Sequence, residues 1–550
     1  MTQPRKRIVL FLPHRADPDQ GVRVSADLTP LELLQIAALP DANGYECVLI
    51  DAMIEPDYLA KVLEACDGAL CFASSCILGF QVAHGARVAK AVRAKFPKLP
   101  IIWGGWFPSV QPEIYFREGI ADAVGLGQGE LTFWEVVQSL ESGTDLANVP
   151  GLCVWRDGKP VYTAHRPVVG YETLPDAPWH LLEYEKYVAL QNDQSHGWKV
   201  RHKYADPWDM PAGTPLRGFS YFSSFGCPEP CTFCCSPFVT DRRWKAMPAD
   251  RMLDDLSELK ARWNFDVVRF HDANFGVMEK RTRDFAQGVV DRGLKFWWNS
   301  FIETHSILHY KPDTLDLMIA SGMYVAEIGA EAGTNEMMAK IGKPIHDDDN
   351  VLGAMELDKR GICANLTYII GYPGESRESM LATIDQCRRV HVACPRSRAT
   401  VWPFRPIPGT AMWDQAIEQG FVAPTKLEDF GKLGQYHLEE TWEGRIPPDV
   451  MQARKMYHHY ATLNYGLARG RKGWWEKRAK KRLEKGELSG GFPSARVEAK
   501  AFDVYNRVTK KLFGTKELSR SWVDPGHQTG TAATEASKST DAMTGTTSGH

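Results

Sequence analysis

A chain of 550 residues, 44% apolar and 24% charged, has room for three or four domains and the balance of a folded globular protein. Its net charge of −3 supplies no overall positive field, so nucleic acid is not an expected partner. No apolar stretch reaches the roughly 18 residues of a membrane span, and the run Ile8–Pro13 leads into charged sequence as a strand does, so a cytoplasmic location is expected.

Residues 1–149 alternate strand and helix patterns. "RIVLFLP", "YECVLIDA", "GALCFASS", "IIWGG" and "ADAVGLG" are short apolar runs, and helical spacing fills the stretches between them, closing with "ELTFWEVVQSLESG". Continuous apolar strands separated by helices predict an α/β fold: a parallel sheet covered on both faces, doubly wound and Rossmann-like, with ligands at the carboxyl ends of its strands. Residues 150–215 break the pattern. "GLCVWRDGKPVYTA" is a hairpin signal around Asp157-Gly158, and the proline-rich stretch after it reads as a connector. From 216 to 424 the alternation returns in six units: "GFSYFSSFG", "VVRFHDANF", "FWWNSFIE", "VAEIGAEA", "ANLTYIIGYP" and "RATVWPFRP". Six is too few for a closed eight-fold barrel, so a partial (β/α)6 TIM-like barrel is predicted. Residues 425–522 are helical in pattern and basic, and 523–550 lack any apolar face, which predicts disorder.

The segment "GCPEPCTFCC" (226–235) concentrates four of the twelve cysteines directly after the first strand of the second block. In a chain without an export signal this reads as metal or redox chemistry. Cys227, Cys231 and Cys234 form C-x3-C-x2-C, three ligands where a saturated site needs four. Cys235 is adjacent, and on an extended backbone its side chain diverges from that of Cys234. The spacing therefore favours an iron–sulfur cluster with one open iron. The other readings are a zinc site completed by a distant histidine, or thiols without a ligand.

Over residues 216–412 the sequence resembles the radical SAM family (SAM is S-adenosylmethionine). There, a C-x3-C-x2-C loop after the first barrel strand holds a 4Fe–4S cluster whose open iron chelates SAM. The resemblance implies reductive cleavage of SAM to a 5′-deoxyadenosyl radical. It also implies that Phe233 packs near the adenine and that Asp272, in "FHDANF", sits near the methionine end. By the same resemblance Glu331, in "IGAEAGT", contacts SAM, and Gly371, Pro373 and Gly374, in "IIGYPGES", let backbone approach the adenine. "PFRPIPGT" matches the sixth-strand ending. Taken singly, each is an ordinary turn.

The front domain lacks G-x-G-x-x-G after its first strand, so a dinucleotide is not expected. Its strand ends carry "ASSC", "GGWFP" and "GLGQGE" instead, small residues that leave room for a broad ligand. This layout resembles the cobalamin-binding domain that precedes the barrel in one large radical SAM class. The resemblance implies cobalamin contacts at Ser74, Ser75, Gly104, Gly105, Gly127, Gln128, Gly129 and Glu130. The D-x-H-x-x-G motif that gives cobalt a histidine is absent, and His14 is expected at the surface rather than on cobalt. The domain could instead be a degenerate fold that only shapes a cleft.

The class resemblance implies methyl transfer from methylcobalamin to an unactivated carbon of a small-molecule substrate. A minority outcome is cyclisation or ring rearrangement without methyl transfer. A non-catalytic cobalamin or iron–sulfur protein is a further alternative. An electron donor such as flavodoxin or ferredoxin is implied. Trp297, Trp298, Trp402 and Trp413 near the expected cleft lean toward a flat or lipid-like substrate. Residues 451–520 hold 18 Lys or Arg against 6 Asp or Glu, with Trp474 and Trp475 in the densest part. That segment either docks peripherally on anionic membrane or packs its tryptophans on the barrel.

Overall fold

The computed structural model describes residues 6–15, 17, 29–192, 214–433, 442, 445–468, 473–486, 488, 497, 498, 500, 501, 504 and 508. The expectation for 523–550 lies outside them.

The front sheet is built on β1 (Arg7–Leu12), β2 (Glu46–Asp51), β3 (Cys71–Ser75), β4 (Ile101–Gly104) and β5 (Ala123–Gly125), parallel in the order β2-β1-β3-β4-β5. Ile8 to Leu12 are fully buried, as a strand covered on both faces requires. The strand order reverses at β1, with β2 on one side and β3 on the other, so a ligand crevice opens above the carboxyl ends of β1 and β3. The hairpin expected in the connector is present as β6 (Leu152–Arg156) and β7 (Lys159–Tyr162). Asp157 and Gly158 both have positive φ, +49° and +77°, the turn geometry that matches strand twist. The hairpin is not part of a wrapping linker: β6 pairs antiparallel with β5 and extends the front sheet to seven strands, because the outer edge of β5 would otherwise leave its backbone unpaired. The rest of the connector packs on the barrel, with Tyr171, Tyr184 and Tyr187 buried in the barrel's core.

The second sheet is parallel and six-stranded. Its strands are β8 (Gly218–Tyr221), β11 (Val267–Phe270), β12 (Trp297–Phe301), β13 (Met323–Glu331), β14 (Cys363–Ile370) and β15 (Arg398–Pro403), ordered as in the chain. Side chains alternate across each strand. Val268, Phe270, Trp298, Ala326, Ile328, Leu366, Tyr368 and Val401 join one outer core with the flanking helices, so their neighbours face the lumen. Edge strand β15 is covered by helix Pro448–Ala468: Tyr457 Oη donates to Ala399 O at 2.6 Å and Arg454 Nε to Val401 O at 2.7 Å. Helix Trp474–Lys485 packs on that helix.

The two sheets share a core. Phe107 lies 4.8 Å from Phe430, centroid to centroid, and Leu427 N donates to Glu118 Oε1 at 2.8 Å, so helix Leu427–Leu433 straps the barrel to the front domain. Trp413, expected near the substrate, is 7% exposed in this shared core, and Trp298 is fully buried in the outer barrel core. Strand parity turns Trp298 away from the lumen, so neither tryptophan lines a substrate cleft.

Candidate active site at the front domain–barrel interface

The cysteine loop begins on β9 (Ser224–Gly226), which pairs antiparallel with β10 (Trp244–Ala246). Gly226 is obligatory there: its φ is +82°, and a Cβ would lie 2.0 Å from Arg243 O. The loop is pinned from two sides. Thr232 N donates to Ile341 O at 3.0 Å, and Met412 N donates to Thr232 O at 3.3 Å. Cys227 and Cys231 are buried and Cys234 is half-buried. Burial pushes the Cys227 thiol up to about 12 and raises that of Cys231. At neutral pH these are protonated thiols rather than free thiolate nucleophiles.

Among the described residues no three His, Cys, Asp or Glu side chains converge on one ion. Backbone N–H groups already point at two of the sulfurs, that of Glu229 at Cys227 and that of Ser236 at Cys234 (3.4 Å). Such donors stabilise bound thiolates. The donor set fits a 4Fe–4S cluster. One expectation needs correcting. Cys235 is not on an extended backbone: it starts helix Ser236–Thr240 with φ −78° and ψ −14°, and its thiol hydrogen-bonds that of Cys234.

Around this loop the barrel places several of the expected SAM contacts. Phe233 meets Tyr372 edge to face at 5.7 Å, joining the cysteine loop to the end of β14. Glu331 ends β13 at a register shift with φ +62°, a left-handed conformation uncommon for a non-glycine residue and a feature of functional sites. Burial lifts its carboxyl to about 7, against the pull of Lys343. Lys343, which the sequence did not single out, is a buried cation ion-paired with Glu303 and electrostatically coupled to Glu331 and Cys231. Gly371 has φ +83° and lies under Ile446, which a Cβ would approach to 2.7 Å, and its carbonyl accepts from Trp442 Nε1 at 2.5 Å. Pro373 O accepts from Lys340 Nζ at 2.6 Å, and Gly374 follows at φ +69°.

Asp272 departs from expectation. It is fully buried and accepts from Ser223 N (2.8 Å), Ser223 Oγ (2.6 Å) and Ser224 Oγ (2.6 Å). Arg281, behind it, donates to Ser223 Oγ at 2.6 Å and Met247 O at 2.8 Å. The carboxylate is spent on holding the entry to the cysteine loop and does not face a ligand. Arg281 carried no sequence signal, since its role depends on a carbonyl 34 residues away.

In the front domain, Gly104 has open space where a Cβ would be, the cradle a broad ligand requires. Gly105 is forced: φ is +96°, and a Cβ would lie 2.6 Å from Cys76 O and 2.7 Å from Ser75 Oγ. Gly127, φ +73°, donates its N–H to Ser109 Oγ (3.1 Å), and a Cβ there would lie 3.2 Å from Val239 O, just past the cysteines. The open strand ends therefore face the cluster loop, and the residues fit cobalamin between them. Other expected contacts are internal. Ser74 Oγ donates to Phe11 O at 3.0 Å. Gln128 bonds Val169 through both N–H (2.7 Å) and C=O (3.3 Å), tying down the connector. Gly129 precedes helix Glu130–Ser142, packed against Ile36, and Glu130 is buried, its carboxyl raised by desolvation. His14 is not simply on the surface. It is half-buried at the end of β1, edge-on to Tyr58 at 5.6 Å, with its N–H donated to His84 Nδ1 at 2.9 Å.

Comparison with known proteins agrees with this geometry. Residues 21–137 match the B12 binding domain, and residues 221–387 match the radical SAM superfamily. An uncharacterized methyltransferase of Pyrococcus horikoshii is 25% identical over 421 residues, 76% of this chain and 84% of its own. An anaerobic magnesium-protoporphyrin IX monomethyl ester cyclase of Rubrivivax gelatinosus is 22% identical over 408 residues, 72% of this chain and 68% of its own. The radical S-adenosylmethionine methyltransferase TsrM from Kitasatospora setae, solved with cobalamin and a [4Fe-4S] cluster, superposes with a TM-score of 0.60 at 14% identity. That superposition covers 88% of this chain and all of TsrM, a likeness of fold. A B12-binding domain ahead of a cluster-binding partial barrel defines a class of radical enzymes. The chain belongs to the radical SAM superfamily, in its cobalamin-dependent class.

Proposed function

We propose that the protein methylates an unactivated carbon of a small molecule, with Cys227, Cys231 and Cys234 holding the cluster and Gly104, Gly105 and Gly127 lining the cobalamin crevice. The observation that carries this reading is the approach of Gly127 to Val239, which sets the open edge of the front sheet over the cysteine loop. When bound, the cluster with SAM supplies radical hydrogen abstraction and the corrin supplies the methyl group. The protein's share is position and exclusion of water. Phe233 and Tyr372 wall the site beside the cysteines. Lys343 balances Glu303 and Glu331 in the dry pocket where the zwitterionic end of SAM would lie. We assign Glu331 the SAM contact because its backbone is held in the left-handed region at the strand end. An external one-electron donor of the flavodoxin or ferredoxin type supplies the reductant.

Reconstituted protein given SAM carrying a labelled methyl group should move the label into product and form 5′-deoxyadenosine. 5′-Deoxyadenosine without label transfer would favour the cyclase reading, which relatives of the R. gelatinosus type support. Neither product would sink both.

A further inference from the structure

The six barrel strands turn polar side chains into the lumen, Ser220, Arg269, Asn299, Glu327, Asn365 and Arg398, as a belt of two layers. Strand register joins Ser220, Arg269 and Asn299 in one layer and Glu327, Asn365 and Arg398 in the next; the step falls between β12 and β13, where Asn299 pairs with Val325 and Phe301 with Glu327. Val267, Val325 and Cys363, which precede Arg269, Glu327 and Asn365 by one inward position in their own strands, pack with Leu216 as the floor. Phe301, level with Glu327, is 36% exposed although its strand is flanked on both sides, so the lumen is open at the upper layer.

A barrel that only had to be filled would use apolar side chains here. Buried polar atoms without partners are costly to keep. Asn299 and Asn365 are 1% and 2% exposed. Their amide nitrogens are engaged, Asn299 Nδ2 with Tyr324 Oη at 2.9 Å and Asn365 Nδ2 with Glu327. Their Oδ1 atoms, Arg269 Nε and, one layer higher, His271 Nε2 have no partner in the protein. Of the two arginines, Arg398 donates to Tyr465 Oη at 2.5 Å and lies over that ring.

We propose that this belt seats the head group of the substrate, a group that pairs an anion with hydrogen-bond donors, as an amino acid does: the anion on Arg269, the donors on Asn299 Oδ1 and Asn365 Oδ1. The inference rests on the reading of the barrel as the site of radical chemistry and names the substrate class. Glu327 and Glu331 are four residues apart on β13, a rise of about 13 Å at ~3.3 Å per residue. A molecule on the order of 10 Å long, head down, would present its far carbon at the rim near the cysteine loop. A lipid tail in the same place would leave the two amide oxygens and the guanidinium dry and unpaired, so the lumen argues against the lipid-like substrate that the aromatic content suggests.

The test is equilibrium dialysis of the full-length reconstituted protein against the aqueous and the chloroform-soluble fractions of a bacterial metabolite extract, with mass spectrometry of what is retained. The expected result is retention from the aqueous fraction of a compound with an anionic group and N–H or O–H donors. Retention should fall at least tenfold in Asn365→Leu and Arg269→Gln. Phe301→Trp fills the lumen from an exposed position beside Glu327, replacing none of the belt's polar groups, and should abolish retention even if the belt variants fold poorly. Retention only from the chloroform fraction, retention from neither, or retention undiminished in Phe301→Trp would overturn the proposal. Dialysis requires no turnover: a protein that retains such a compound but never cleaves SAM would defeat the functional reading and leave this one standing.

Discussion

The thiols of Cys234 and Cys235 share a hydrogen bond, because Cys235 sits in right-handed helical backbone at the start of helix Ser236–Thr240. Adjacent sulfurs so placed compete for one role. The N–H of Ser236 points at Cys234, which supports the proposed assignment of Cys234 as the ligand. Cys227→Ala, Cys231→Ala and Cys234→Ala should each hold under a tenth of the wild-type iron and form no 5′-deoxyadenosine. Cys235→Ala should keep both. Iron and sulfide analysis with anaerobic product assay checks this, and a cluster that survives loss of Cys231 but not of Cys235 would refute the assignment.

Asp272→Asn should behave as a loop defect. The carboxylate accepts three hydrogen bonds, and the amide nitrogen cannot accept the one it inherits. The expected loss is about 2–3 kcal/mol of stability, with lower cluster occupancy after reconstitution. Denaturant melts of the apoprotein separate this from a SAM contact, which would weaken SAM binding and leave the melt unchanged.

Neighbouring glycines should respond in opposite ways. Gly104 faces open space, so Gly104→Leu should fold normally and lose cobalamin. Gly105→Ala should destabilise by more than about 1 kcal/mol, since φ is +96° and the new Cβ meets backbone. Cobalamin retained per chain reads the first and thermal melts the second. In the Co(II) state, electron paramagnetic resonance should show no nitrogen splitting from an axial histidine. Such a splitting, lost in His14→Ala, would make His14 the ligand.

Asp255 gives a pH signature away from the cofactors. Burial raises its carboxyl to about 6, against the pull of the Tyr221 hydroxyl that donates to it at 2.6 Å. A carboxyl with a raised pKa in the folded state favours folding below its ordinary value near 4, and that contribution is lost as pH rises through about 6. Asp255→Asn keeps the acceptor and removes the charge. It should equal wild type near pH 3.5 and be more stable by about 2 kcal/mol at pH 8. An equal offset at both pH values would rule out titration as the cause.

The basic C-terminal segment divides its tryptophans. Trp475 packs against the barrel core, while Trp474 is 63% exposed on helix Trp474–Lys485. No described helix is long and apolar enough to cross a membrane. If Trp474 inserts at an anionic surface, sedimentation with anionic vesicles should exceed that with neutral ones and fall with salt as the screening length shortens to about 8 Å. Trp474→Ala should then abolish it. Equal absence from both vesicle types would leave the helix as a solvated face.

The sequence by itself determined the order of elements and the spacing of the cysteine triad. Apolar runs such as Ile8–Leu12 and Leu366–Ile370 report burial on both faces of a sheet, and Cys227, Cys231 and Cys234 carry their spacing within one loop. These are local signals. Tertiary structure decided what each neighbouring polar residue does. Asp272 reads as a ligand contact until Ser223 and Ser224, almost 50 residues earlier, take its carboxylate. Gln128 reads as part of a cofactor turn until Val169 claims it. Lys343, Arg281 and the belt of Arg269, Asn299 and Asn365 gave no signal, because the first two acquire meaning from distant partners and the belt from strand register across the barrel. Hydrogen bonds and ion pairs form between atoms a few ångströms apart in space, and only the closed fold sets those distances.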